Sequence, residues 1–312
     1  MAAFDGIKPL IMESSSGIPD SAFRSPLPAL KAVDGTVRIG GIVGRRINTC
    51  IDHRVLAQPV EPLVAPFRER SDGPDGFRGE FWGKWFTSLV LAEACREDPA
   101  IRAKLEEALQ ALLATQSVDG CISTYPYPEQ HGMWDAWSRK YVLLGLLHHH
   151  QLTGEAVSLE AGCRMLDHFM TQAGPGKVRL ADCGHWAWQG LPPSSILEPV
   201  ALLYRLTGNS AYLDYAEWIV ASWNEPSQFL ASGLRLVEAA LEGKSAREVG
   251  NPKAYEQMSC FEGLCELYLA TGKTEYREAA LSLARSIRET ELPLVGSGSN
   301  HELWCQTARH QT

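Results

Sequence analysis

LCELYLATGKTEYREAALSLARSI, residues 264–287, reads as two helices folded back on each other. Apolar positions recur with a helical period on both sides of Thr271-Gly272. Glycine at that point suits a left-handed helix cap, and a new helix begins within a few residues, with Tyr276 as an early anchor. The same grammar appears in LLHHHQLTGEAVSLEAGCRMLDHF (146–169), turning at Thr153-Gly154, and in LLYRLTGNSAYLDYAEWIVASW (202–223), turning at Thr207-Gly208. These are αα-hairpins of similar design.

Working toward the N-terminus, CREDPAIRAKLEEALQALLATQ (95–116) supplies another boundary. Asp98 suits the N-cap, Pro99 the first turn, and Ile101, Leu105, Leu109 and Leu112 form one apolar stripe. Its partner helix contains WFTSLVLAEAC (85–95). Four hairpins are expected, over about 84–116, 136–171, 195–224 and 254–289, with a short helix near 228–242. The fold class is all-α. Before residue 80, VRIGGIVGRRINTCIDHRVLAQPVEPLV is β-branched and glycine-rich, and predicts a short strand with a wrapping segment. Its GGIVG lacks the GxGxxG spacing of a dinucleotide site. Residues 1–38 read as an N-terminal arm and 39–312 as the helical-hairpin domain. The Thr-Gly turns lie 54 and then 64 residues apart, too long and too uneven for a uniform scaffold repeat. The excess length lies in loops.

The 312 residues carry a net charge of −8, and no basic run is present. That argues against nucleic acid or an anionic membrane as partner. No apolar segment is long enough to span a bilayer. The N-terminus lacks the basic start and apolar core of a secretory signal, so a cytoplasmic location is expected. The eight cysteines are scattered without a CxxC, as reduced, mostly buried thiols would be. Cys260 and Cys265, five apart on a helix, point away from each other.

The loops between hairpins have a shared composition. Residues 119–140 present Tyr125, Tyr127, Trp134 and Trp137 with Asp135, Arg139 and Lys140. Residues 182–199 present His185, Trp186, Trp188 and Glu198; FRGEFWGKW (77–85) adds Glu80, Trp82 and Trp85. The C-terminal GSGSNHELW (296–304) places His301 beside Glu302. Aromatic planes accept the C–H faces of sugar rings while fixed polar groups hold the hydroxyls, so carbohydrate is the expected partner. A single Trp at a helix start more often packs into a core, and Arg139 can simply pair with Asp135 four residues away. The reading rests on several loops of like composition. His301, Glu302, Cys305 and His310 are all metal-binding types, but no HExxH or other ligand spacing connects them, so no metal site is assigned. Glu302 in an aromatic pocket would instead have its proton affinity raised and suit a general acid.

FRGEFWGKW, WSRKYVLLGLL, PSSILEPVALLYRLTG, AYEQMSCFEGLCELYLATG and GSGSNHELW, in this order, resemble the β-L-arabinofuranosidase-type glycoside hydrolases of family 127 and its relatives. The resemblance runs from about residue 39 to the end. It implies an (α/α)6 toroid, here incomplete, whose loops at one end build the pocket. It implies retaining hydrolysis of a terminal arabinofuranosyl or similar sugar, with Glu302 as general acid/base. For the complete protein it also implies zinc and a zinc-bound cysteine thiolate as nucleophile. The Glu-x-Cys segment and Cys-Cys pair that would carry them do not occur before Thr312, so a longer enzyme, inactive in this truncated form, is expected. Glu80, Trp82, Trp134, Asp135, Arg139, His185, Trp186, Glu198 and His301 are the expected sugar-binding residues. Were the chain to work alone, Asp135, Glu198 or Glu80 would be the second carboxylate. Two alternatives stand beside this reading: a six-hairpin enzyme of the unsaturated-uronide hydrolase type, and a non-catalytic carbohydrate-binding or interaction module.

Overall fold

The computed structural model describes residues 39–306 apart from 129, 184–187 and 294–295. The expected arm, His185, Trp186 and His310 therefore lie outside the described residues. The first helix, α1 (Gly41–Cys50), runs on as a wide turn through Val55, in which the Leu56 amide reaches back five residues to the Ile51 carbonyl. Then come α2 (Glu61–Glu69), α3 (Arg78–Cys95), α4 (Pro99–Leu113), α5 (Met133–Thr153) and α6 (Ala156–Gln172). A four-residue turn α7 (Leu191–Ser194) leads to α8 (Leu197–Thr207), α9 (Ser210–Ser222), α10 (Leu236–Leu241), α11 (Ala254–Thr271) and α12 (Thr274–Thr290). Among the described residues there is no β-strand, only isolated bridges.

The expected strand before residue 80 is thus corrected to helix. Burial overrides propensity there: Ile51 and Val55 enter the core, and Trp85 donates its indole N–H to the Val55 carbonyl at 2.9 Å. The helix expected near 228–242 is confined to α10.

The four hairpins are α3/α4, α5/α6, α8/α9 and α11/α12, as the turns predict. Asp98 caps α4 by accepting from the Ala100 amide at 2.9 Å. Gly154, Gly208 and Gly272 end α5, α8 and α11 at φ of 75°, 69° and 73°, the left-handed conformation that a Cβ disfavours. Ile101, Leu105, Leu109 and Leu112 are buried, as the stripe requires.

The hairpins stand side by side as two layers. Inner helices α3, α5, α8 and α11 pack on one another in that order, and each outer helix packs on its own partner. The inner helices run parallel. Gly83 of α3 lies so close to the Tyr141 backbone of α5 that a Cβ would clash, while Phe86, one turn on, faces Gly145. Leu197 of α8 meets Gly263 of α11, and Arg205 pairs with Glu266. α5 is buried nearly all round because α3, α6 and α8 surround it. This is the inner-and-outer architecture of an (α/α)6 toroid, of which the described residues provide four hairpins. Its parallel inner helices bring their N-termini to one end.

Candidate active site

At that end the N-terminal halves of the inner helices, and the segments just before them, carry the chemistry. Glu80 and Lys84 come from α3; Trp134, Trp137, Lys140 and Tyr141 from α5; Glu198 from α8; Lys253, Tyr255 and Glu256 from the start of α11. Trp188 comes from the 182–190 loop. The four helix N-termini add partial positive charge around these carboxylates.

The aromatic groups form a continuous wall. Trp137 meets Tyr141, Tyr255 and Trp134 edge-on at centroid distances of 5.1, 5.3 and 6.0 Å, and Trp134 meets Trp188 at 6.4 Å. The Tyr141 and Tyr255 hydroxyls hydrogen-bond each other, and burial first, then this bond, pushes the Tyr141 phenol upward so that it stays protonated. Trp137 donates its indole N–H to Glu80. Lys84 pairs with Glu80 at 2.7 Å and lies 4.7 and 4.9 Å from the Tyr141 and Tyr255 ring centres. Burial lowers the Lys84 proton affinity, but the bonds to Glu80 and Tyr255 outweigh it and the net direction is upward.

Lys140, 1% exposed, pairs with Glu198 at 3.2 Å. Burial raises Glu198 above the ordinary carboxylate range, against the pull of Lys140. Lys253, also buried, pairs with Glu302, lies 3.9 Å from Glu256 and sits 4.0 Å over the Trp188 ring. Glu256 is 4% exposed on its side chain, and its Oε2 is buried without a hydrogen-bond partner. Burial pushes its carboxyl up to about 7; Lys253 and a bond from its own backbone amide oppose this, while Glu302 and Glu80 reinforce it.

The final loop is held in place by bonds to the start of α11 and to the end of α12. The Ala254 amide donates to the Glu302 carbonyl at 2.7 Å, and the Trp304 amide to the Pro252 carbonyl at 2.9 Å. Trp304 is buried and donates its indole N–H to Gln257 at 2.7 Å. The fully buried Glu291 accepts from the Cys305 and Gln306 amides at 3.0 and 2.8 Å. His301 and Glu302 both have positive φ, 49° and 62°, a strained conformation for residues with a Cβ.

Several sequence expectations take a different place. The enclosed carboxyl is Glu256, whereas the Glu302 side chain is 63% exposed and ion-paired. Trp82 is wholly buried and stacks on Phe86 at 4.4 Å, so it belongs to the core between helices. Asp135 and Arg139, 0% and 1% exposed, pair with each other at 2.8 Å and present no surface to a sugar. Ser123 and the Gln130 carbonyl complete their shell. Glu80, Trp134 and Glu198 do converge at the helix N-termini. His301 is an exposed residue of the final loop. Sequence reasoning missed Lys84, Lys253, Tyr255 and Glu256 as site residues, although three of the four stand inside motifs that carried the family resemblance.

The described residues do not fit a zinc-thiolate centre. No group of three or more His, Cys, Asp or Glu among them is arranged to hold a metal ion. Cys121, Cys183 and Cys260 are buried free thiols, and desolvation raises all three, that of Cys183 to about 12. No described helix is long and apolar enough to cross a membrane.

No curated protein matches the chain by sequence. Among solved structures, a family 127 β-L-arabinofuranosidase from Geobacillus stearothermophilus T6 superposes with a TM-score of 0.61 at 17% identity, covering 82% of this chain and 45% of that one. A second family 127 β-arabinofuranosidase gives 0.57 at 15% identity, with 81% and 40% covered. A structure described as a glycoside hydrolase gives 0.56 at 16%, with 84% and 38% covered. The chain thus spans less than half the length of these similar structures, and at such identities they speak for the fold. The family model for the β-L-arabinofuranosidase GH127 catalytic domain matches residues 45–310. With most of its length inside that match, the chain belongs to the glycoside hydrolase family 127 catalytic-domain family.

Proposed function

We propose that this chain contributes the sugar-binding and proton-transfer end of a glycoside hydrolase acting on a terminal arabinofuranosyl or similar residue. The observation that supports it is the convergence of Glu80, Glu256 and Glu302 beside the Trp134–Trp137–Trp188–Tyr255 wall. The sugar's C–H face lies on the indole and phenol rings, and its hydroxyls take the lysine and carboxylate partners. Glu302 protonates the glycosidic oxygen as its bond to the anomeric carbon breaks and a second, nucleophilic group takes the glycosyl residue; water then displaces that group, giving its proton to Glu302. Glu302 faces solvent, where an aglycone would stand, and Lys253 holds its carboxylate between the two proton transfers. Such acid/base help is worth about 10²–10⁴ in rate.

A second reading, sugar binding without turnover, is favoured by one observation: Lys253 already engages the Glu302 carboxylate. The substitution Glu302→Gln separates the two. Purified protein is assayed on 4-nitrophenyl β-L-arabinofuranoside, with and without added zinc, and sugar binding is followed by calorimetry. Loss of turnover with binding retained supports the hydrolase. Binding of the sugar with no turnover in the parent supports the module. Absence of both refutes a carbohydrate role.

A further inference from the structure

Glu256 has no part in the proton transfers assigned to Glu302, yet it is the most enclosed carboxyl at the site. It follows the Lys253 cap of α11, with a side chain 4% exposed. A buried oxygen without a partner is costly, since desolvation is not repaid by a hydrogen bond. Glu80 and Glu302 each have a close ammonium of their own, Lys84 and Lys253. Glu256 shares Lys253 only at 3.9 Å through Oε1, its own backbone amide being the other group that favours the charged form, and its Oε2 has no hydrogen-bond partner. The charged groups facing it are Lys253 at its side, Glu302 from the final loop and Glu80 from α3. One turn on, the buried Cys260 thiol feels both Glu256 and Lys140 of α5. Two anions and one committed cation around an enclosed carboxyl favour its neutral form, which turns an oxygen acceptor into an O–H donor.

We propose that Glu256 is a substrate-binding residue that presents its unpartnered Oε2 as a hydrogen-bond donor to a sugar oxygen. The inference rests on the carbohydrate reading above and deepens it. The Lys253–Glu302 pair stands next to Glu256, and Glu302 is 63% exposed. Glu302 is the exposed member of the pair and Lys253 the buried one, so a polyol that engages Glu302 from solvent must take over the Lys253 ammonium with its own oxygens, which brings it to the acid beside that ammonium. A donor at this point selects for an oxygen that accepts. A deoxy sugar lacking that oxygen would leave the acid unpaired and bind poorly, which makes Glu256 a specificity-determining residue.

The test uses methyl β-L-arabinofuranoside as probe. Its affinity is measured by calorimetry from pH 5 to 9 for the parent protein and for Glu256→Gln, which keeps a donor but cannot ionise. Infrared difference spectra of the parent, with and without the sugar, report the carbonyl stretch of a protonated carboxyl. The expected result is a sugar-shifted carboxylic band, absent in the variant, and a parent affinity that falls by up to tenfold per pH unit above about 7 while the variant's stays level. A missing band, a band the sugar does not move, or the same pH profile in both proteins overturns the inference and leaves the carbohydrate reading intact. No binding by the parent at any pH removes the carbohydrate reading, and this inference with it. The parent's own pH profile and spectrum need no variant to fold.

Discussion

Replacing Asp135 by Asn would distinguish a structural ion pair from a ligand contact. The Asp135 carboxylate is wholly buried and binds the Arg139 guanidinium at 2.8 Å. Arg139 also donates to the Gln130 carbonyl at 3.1 Å and lies 5.3 Å over the Phe169 ring, with His168 nearby at 3.4 Å. Asparagine keeps the shape and removes the charge, so the buried guanidinium loses its counter-ion. Breaking a buried pair by removing one partner costs about 3–5 kcal/mol. For a domain of this size each kcal/mol lowers the melting temperature by about 2–4 °C, so a fall of about 6–20 °C is expected. Differential scanning calorimetry at pH 7 measures it. Among molecules still folded, sugar affinity should be unchanged, because neither residue offers surface to solvent. The double variant D135N/R139M should recover much of the loss by removing the stranded charge. A melting temperature within about 2 °C of the parent together with lost sugar affinity would refute this reasoning and return Asp135 to the binding site.

Further outcomes follow from other positions. Trp82→Ala should destabilise by about 3–5 kcal/mol through the cavity it leaves, whereas Trp134→Ala should lower sugar affinity with a much smaller change in melting temperature; urea titration and calorimetry separate the two. Glu256→Gln should change how stability depends on pH. The Glu256 pKa is raised from 4.5 to about 7, so its stabilising contribution is complete below about 4.5 and is lost as pH rises through about 7. The variant should therefore gain on the parent by up to about 3 kcal/mol between pH 4.5 and pH 8, read as the difference between two denaturation series. Glu291→Gln should weaken the charge-assisted bonds to the Cys305 and Gln306 amides and speed hydrogen exchange in residues 300–306 by about tenfold or more, while leaving α3 and α5 unchanged.

The hairpins were legible because their signals are local. Gly154, Gly208 and Gly272 cap the helices at which they were expected, and Asp98 needs only its neighbour Ala100 to act. Cys260 and Cys265 likewise fall on opposite sides, one buried and one exposed. The site was less legible because burial there is set by neighbours far along the chain. Glu256 reads as an ordinary acidic residue in the first turn of a helix, where the macrodipole welcomes it. Only the approach of Glu80, Lys253 and Glu302 makes it unusual. Trp82 and Trp134 are alike in composition and differ in which side of their helix faces the wall. Asp135 and Arg139 look like an exposed i, i+4 pair until α5 is seen enclosed by its neighbours. The stretch over residues 41–55 failed for a related reason: its glycines and β-branched residues oppose helix weakly, and the contacts of Ile51 and Val55 overrule them.

The bond from the Ala254 amide to the Glu302 carbonyl has a kinetic consequence. It ties the segment carrying Glu302 to the first turn of α11, and the Trp304 amide adds a second tie at Pro252. Glu302, Lys253 and Glu256 therefore travel with one rigid support. The carboxylate to which the proposed role assigns the proton transfers is thereby preorganised by backbone bonds to α11. Opening of this segment should therefore require the first turn of α11 to loosen with it, so the amides of Ala254 and Trp304 should exchange with solvent together.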